Sequence, residues 1–214
     1  MMKRENVIGL TGGIGAGKSS VARYLARLPH FTCIDADQVC RGLLEPAQAG
    51  WQALRDAFGE RYLQTNGHVN RKLLREAIFR DRKLRREVNG LIHPLARAEI
   101  RARVVEYGGS GPFLVEVPLL FESGWDSDFG RVIVVYAAVE VRLARLMQRD
   151  RVTRQEALAA LGAQEPLAEK ALRADHVIDN GGCWAYTCFQ LLRLEAILRR
   201  FVASPYDSLE KKGK

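Results

Sequence analysis

Gly12-Gly13-Ile14-Gly15-Ala16-Gly17-Lys18-Ser19 decides the reading of this chain. The octapeptide satisfies G-x-x-x-x-G-K-[ST], whose glycines let the backbone fold into a concave nest with its N–H groups aimed at phosphate oxygens. A helix starting near Ser19 adds the positive end of its dipole to the same place. Lys18 can then reach the β- and γ-phosphates, and the Ser19 hydroxyl can ligate Mg²⁺. A glycine-rich turn that merely joins a strand to a helix needs no Lys18-Ser19 after its last glycine. A dinucleotide fingerprint fits worse, because Gly13, Gly15 and Gly17 do not follow G-x-G-x-x-G. The stretch reads as a nucleoside-triphosphate site, a P-loop.

The flanks agree with it. Val7 to Thr11 is a short apolar run, the pattern of a buried parallel strand. From Ser19 to Leu28, Val21, Tyr24, Leu25 and Leu28 recur at helical spacing, and Pro29 ends the segment. Phe31 to Ile34 reads as a second strand, closed by Asp35-Ala36-Asp37. Strand, helix, strand in under forty residues is a βαβ unit and predicts an α/β fold with a parallel, helix-flanked sheet. Further strands are predicted at Phe113–Val117, Val132–Tyr136 and Val177-Ile178. Residues 41–107 contain no good strand. They offer helices at Trp51–Phe58 and Arg71–Phe79, a turn at Asn66-Gly67, and an arginine-rich helix from Arg82 that meets a break at His93-Pro94. Thr153-Arg154-Gln155-Glu156 matches a capping box. Ala185–Val202 is a final amphipathic helix, and the Lys211-Lys212-Gly213-Lys214 tail is expected to fray.

The 214 residues, 47% hydrophobic and 27% charged, suit one globular domain with insertions and exclude a disordered chain. Lys and Arg number 33 against 25 acids, a net charge of +8, and 25 of the cations are arginine, the side chain best shaped to grip phosphate with paired hydrogen bonds. The partners implied are anionic, either nucleic acid or small phosphorylated molecules. Cys33, Cys40, Cys183 and Cys188 show no CxxC spacing and are expected to be buried or partly buried free thiols. No run approaches the roughly eighteen apolar residues of a membrane span, and the leading apolar run is too short for a signal peptide, so a cytoplasmic protein is expected.

Two further groups carry chemistry. Asp35 and Asp37 follow a strand at whose carboxyl end ligands of open α/β sheets bind. One of them can deprotonate an attacking hydroxyl, and an aspartate there can equally cap the next helix; the chain pattern leaves both readings open for each. Arg142, Arg145 and Arg149 share one helical face, and Arg151 and Arg154 continue past it. They suit either a cationic lid that neutralises a moving phosphoryl group or a solvated face. Asp128-Phe129-Gly130 spells a protein-kinase signature, but the other kinase motifs are absent. The four histidines have no metal-ligand spacing, and no N-K-x-D supports guanine specificity.

Taken in order, these segments resemble the dephospho-coenzyme A kinase family over nearly the whole chain. The resemblance lies in Ile8 to Ser19, in Ile34-Asp35-Ala36-Asp37 with Arg41, in Asn89-Gly90-Leu91-Ile92-His93-Pro94 and in Val117-Pro118-Leu119-Leu120-Phe121-Glu122. It continues in Gln148-Arg149-Asp150, Gln164 and Ala174 to Gly181. It implies a P-loop kinase fold and ATP-dependent, Mg²⁺-assisted phosphorylation of the ribose 3′-hydroxyl of dephospho-CoA. Asp37 would be the general base, with Lys18 and Arg145 at the transferred phosphate. Gly13, Ile14, Gly15, Ala16, Gly17, Lys18, Ser19, Ser20 and Asn180 would hold ATP, and Ser19 the metal, with water or Asp35 completing its shell. Asp35, Arg41, His93 and Glu122 would line the acceptor pocket. The implied layout is a core of about 1–40, 110–145 and 174–204, a helical acceptor subdomain of about 41–109, a lid of about 146–173 and a tail at 205–214. Substrates would be small molecules, with no nucleic acid or membrane partner, and the protein a monomer or weak homo-oligomer. Ser20, Cys40 and Tyr136 depart from the family pattern, which often has Thr, Ala and Asp there. The rival readings are another nucleoside or nucleotide kinase and a nucleic-acid-binding ATPase.

Overall fold

Six consecutive buried residues form β1 (Val7–Gly12), as a strand covered on both faces requires. The computed structural model describes residues 6–28, 31–107 and 112–202, with side chains as far as 199. After β1 come α1 (Lys18–Leu25) and β2 (Thr32–Asp35), then the helices α2 (Ala36–Leu43), α3 (Ala49–Phe58), α4 (Arg71–Arg80) and α5 (Arg82–Glu106). The chain continues through β3 (Phe113–Glu116), β4 (Arg131–Tyr136), α6 (Val139–Asp150), α7 (Arg154–Gly162), α8 (Leu167–Leu172), β5 (His176–Asp179) and α9 (Trp184–Val202).

The strands form one sheet in the order β2-β3-β1-β4-β5. β1 lies centrally and pairs in parallel with β3 and β4, and β4 pairs in parallel with β5. Parallel neighbours cannot be joined by a hairpin, so a crossover must carry the chain back each time. Helices do this except between β3 and β4, where residues 117–130 hold turns and a short 3-10 helix. Strands β1, β3, β4 and β5 therefore end on one side of the sheet. The P-loop leaves β1 there, Glu116 ends β3 and Asn180 follows β5.

The chain divides into two units, residues 1–34 with 109–214, and Asp35–Gly108. The first carries the sheet. In the second, helices α2–α5 enclose Leu54, Tyr62, Val69, Leu74, Leu84, Val88 and Ile92. The turn expected at Asn66-Gly67 is present, with Gly67 at φ 81° and a bridge between Leu63 and Val69 on either side of it.

The break expected at His93-Pro94 does not occur, and α5 runs through Pro94 for 25 residues. Leu84, Val88, Ile92, Ala96, Ile100 and Val104 line one buried stripe on both sides of the proline. Stopping at His93 would strip Ile100 and Val104 from burial worth about 1.5–3 kcal/mol each, against about 3 kcal/mol for an interior proline.

Helix α1 ends at Leu25 rather than Leu28, and Pro29 and the Lys211–Lys214 tail lie outside the described residues. The four cysteines are free, but Cys33 and Cys183 are exposed rather than buried. Among the described residues no helix is long and apolar enough to cross a membrane.

Candidate active site

The nest is shaped from behind. A planar trans peptide points its C=O and the following N–H in opposite directions, so whatever holds a carbonyl also aims the next amide. Arg142 Nε donates to the Ile14 carbonyl at 3.0 Å, and Arg145 Nη1 to those of Gly15 and Ala16 at 3.4 Å each. Asn180 Nδ2 donates to the Ala16 carbonyl at 2.8 Å. Three successive carbonyls are thereby drawn toward α6 and the residue after β5. The amides of Gly15 and Gly17 face the opposite way, and with those of Lys18 and Ser19 they bond to no protein acceptor among the described residues. Gly15 and Gly17 have φ of 78° and 89°, a region that side chains disfavour. A Cβ on Gly17 would also stand 2.1 Å from Asn180 Nδ2.

At the mouth of the nest, Lys18 Nζ lies 2.8 Å from Glu116 Oε1, and the Ser19 hydroxyl donates to the same oxygen at 3.1 Å. The ion pair is largely enclosed, with side-chain exposures of 14% and 16%. Glu116 went unassigned in the sequence, read only as part of a strand. The signal was there: an acid ending an apolar strand, the rule already applied to Asp35. A hydroxyl and a carboxylate are hard oxygen donors of the kind Mg²⁺ takes, and Mg²⁺ keeps several waters and needs few protein ligands. The residues present fit that ion. Among the described residues no cluster of three or more His, Cys, Asp or Glu side chains offers a fuller metal cage.

Arg145 also donates Nη2 to the Asn180 carbonyl at 2.8 Å. Asn180, only 5% exposed, accepts from the buried Thr187 hydroxyl at 3.0 Å. Arg145 and Asn180 thus meet at the P-loop. The other arginines of the expected lid separate. Arg149 pairs with Asp150, Arg154 with Glu140, and Arg142 is 5% exposed rather than on a solvated face. Burial disfavours the charged form of Arg142, with Tyr136 acting the other way. The expected capping box is present, with Thr153 and Glu156 bonding reciprocally. Ser20 anchors its amide on the Gly17 carbonyl and receives Arg23 at its hydroxyl.

In the helical unit the structure shows one of the two roles that the sequence left open, the helix cap. Asp35 is the N-cap of α2, its Oδ1 accepting the amides of Asp37 and Gln38 at 2.8 and 3.1 Å. Asp37 sits exposed in the first helical turn. Arg41 is exposed in the last turn of the same helix, and its carbonyl accepts from Arg71 at 3.2 Å. A cavity of about 410 Å³ adjoins this end of α2, lined by Leu44, Glu45, His68, Asn70, Arg71 and Lys72 among others. His93 is half-buried on α5, and burial, helped by the Arg97 charge, lowers its pKa below the ordinary 6.5. Its imidazole is therefore neutral at pH 7.

Glu122, assigned to the acceptor pocket by resemblance, has its Oε1 engaged by protein. It pairs with Lys170, which is 0% exposed, and accepts the Glu165 amide at 3.3 Å. Lys170 carried no role in the sequence reading. A lysine that deep requires an anionic partner, and its place in a short amphipathic helix hid the requirement.

A family model described as dephospho-CoA kinase matches residues 6–185. The chain is 40% identical over 206 residues to the dephospho-CoA kinase of Geobacillus kaustophilus, covering 95% of this chain and 98% of that protein. Among solved structures, TT1252 from Thermus thermophilus superposes with a TM-score of 0.74 at 31% identity, covering 91% of this chain and 96% of that one. The dephospho-CoA kinase of Campylobacter jejuni does so with a TM-score of 0.65 at 28% identity, covering 89% and 96%.

Proposed function

The chain belongs to the dephospho-CoA kinase family, and on that premise we propose that it transfers the γ-phosphoryl group of ATP to the ribose 3′-hydroxyl of dephospho-CoA. One observation carries the local chemistry: Lys18, Ser19 and Glu116 converge at the mouth of a nest whose Gly15, Gly17, Lys18 and Ser19 amides bond to no protein acceptor among the described residues. Phosphoryl transfer demands little covalent chemistry from a protein. It demands position and compensation of charge.

The amides of Gly15, Gly17, Lys18 and Ser19 take the phosphate oxygens, and Gly13, Ile14, Ala16 and Ser20 complete the loop that presents them. Lys18 leaves Glu116 for the β- and γ-phosphates when the nucleotide arrives. Ser19 and Glu116 would hold Mg²⁺, which would supply neutralisation of the phosphate charge. Arg145 shifts from the P-loop carbonyls toward the transferred group, and Asn180 remains near the base of ATP. Asp37 accepts the proton of the attacking hydroxyl, its position set by the Asp35 cap. Asp35 Oδ2, Arg41, neutral His93 and Glu122 make up the acceptor set, and residues 146–173 form the lid. On this reading the enzyme works in the cytoplasm on two small phosphorylated substrates, as a monomer or weak homo-oligomer and without nucleic acid.

The test is an acceptor screen with ATP and Mg²⁺. Phosphate should appear on dephospho-CoA and not on nucleoside monophosphates. The reverse outcome would replace this reading with a nucleotide kinase.

A further inference from the structure

Ile14, at the crown of the P-loop, is gripped at three points by the segment that follows β4. Its side chain packs against the buried cluster formed by Leu143, Leu146 and Ala157. Its carbonyl accepts from Arg142 Nε at 3.0 Å, and its amide donates to Gln164 Oε1 at 2.9 Å. Arg142 is 5% exposed, and its guanidinium lies where a side chain on Gly13 would have to go, with Nη2 2.7 Å from such a Cβ. Beyond Gln164 the same segment is tied down again, through the Glu165 amide and Lys170 on Glu122.

The apolar contacts alone would hold the segment against the loop. The two hydrogen bonds add something different. They fix the peptide planes on both sides of Ile14, and the second of those planes carries the Gly15 amide. The direction of that phosphate-facing amide is therefore set by α6, and the plane before it by the residue between α7 and α8. The Ile14 amide, given to Gln164, is withdrawn from the ligand.

Resting on the triphosphate reading above, we propose that Gln164 and Arg142 are positioning residues for the triphosphate. They act through the two peptide groups of Ile14, so that the place of the α6–α8 segment sets the direction of the nest's peptide planes. Neither residue touches substrate. Each preorganises the amides that do.

Gln164→Leu keeps the bulk and removes the acceptor, and Gln164→Asn keeps the amide one methylene too short to reach. Titration calorimetry with ATP and with inorganic tripolyphosphate should show Kd rising about three- to tenfold for both probes, the range of one net hydrogen bond. KM for ATP should rise with it, while KM for dephospho-CoA stays at its wild-type value. Arg142→Met should weaken both probes similarly, and its double variant with Gln164→Leu should fall short of the summed effect, because both act on Ile14. A purely structural role would lower the melting temperature and leave the tripolyphosphate Kd unmoved, and that result in the folded variants overturns the proposal. A wild-type protein that binds neither probe would instead defeat the underlying triphosphate reading.

Discussion

Glu116→Gln separates the two duties of the carboxylate at the end of β3. Glu116 compensates Lys18 at 2.8 Å, with both side chains about six-sevenths covered. The direct Coulomb attraction at that distance is about 6 kcal/mol with an effective dielectric near 20. Desolvation offsets most of it. Exposed pairs net about 0–1 kcal/mol, and breaking a buried one costs about 3–5 kcal/mol, so a pair enclosed to this degree should lose about 2 kcal/mol. For a chain of this size that lowers Tm by about 4–8 °C. Saturating ATP should close much of the gap, because its phosphates supply the anion that Lys18 has lost. Without Mg²⁺ the variant should bind ATP more tightly than wild type, since Lys18 no longer leaves a partner and one negative charge is gone. With Mg²⁺ its kcat should fall by about 10²–10³, the usual loss for one preorganised electrostatic group. Thermal denaturation with and without ATP, calorimetry in EDTA and a coupled assay across a Mg²⁺ titration read all of this. A variant with wild-type kcat and Mg²⁺ dependence would refute the role given to Glu116, whatever its Tm.

Three further outcomes follow from the geometry. Asp37→Asn should reduce kcat by about 10²–10⁴, the worth of a general base; Asp35→Ala should act first on the fold, lowering stability by about 0.5–2 kcal/mol through loss of the α2 cap, and a swap of these phenotypes would reverse the roles. Arg151 ends α6 in the left-handed region at φ 55°, so Arg151→Gly should raise stability by about 1 kcal/mol in chemical denaturation. His93 and His176 both have folded pKa values below 6.5, chiefly through burial. Between the folded and unfolded values the unfolded chain binds more protons, so their contribution is complete above pH 6.5 and is lost as pH falls through the folded values. Urea midpoints at pH 7.5 and 5.5 should show that loss, and His93→Gln should reduce it.

Much of this was legible in the chain. Apolar runs beside glycines located β1, β3 and β4 to within a few residues, because buried parallel strands cannot hide polar positions; Val177-Ile178 marked β5 although only Ile178 is buried. The P-loop was legible because the left-handed positions of Gly15 and Gly17 leave so few residue choices. What escaped depended on pairing across long separations. Lys18 and Glu116 are 98 residues apart and Ile14 and Gln164 are 150 apart, and no local pattern announces either contact. Pro94 misled for the opposite reason. It is a strong local breaker, overridden by a buried stripe that only the packed helices reveal. The aspartate pair stood between, since a cap and a base share one sequence pattern, and only the α2 amides show that Asp35 is the cap.

The central claim is a phosphoryl transfer from ATP to one hydroxyl of dephospho-CoA. Phosphorus NMR of the product formed by the wild-type protein with ATP and Mg²⁺ tests it most directly. A new monoester signal on the ribose 3′-position, formed in step with ADP, is the predicted result. ADP release without that signal, or phosphate on any other group, would contradict it.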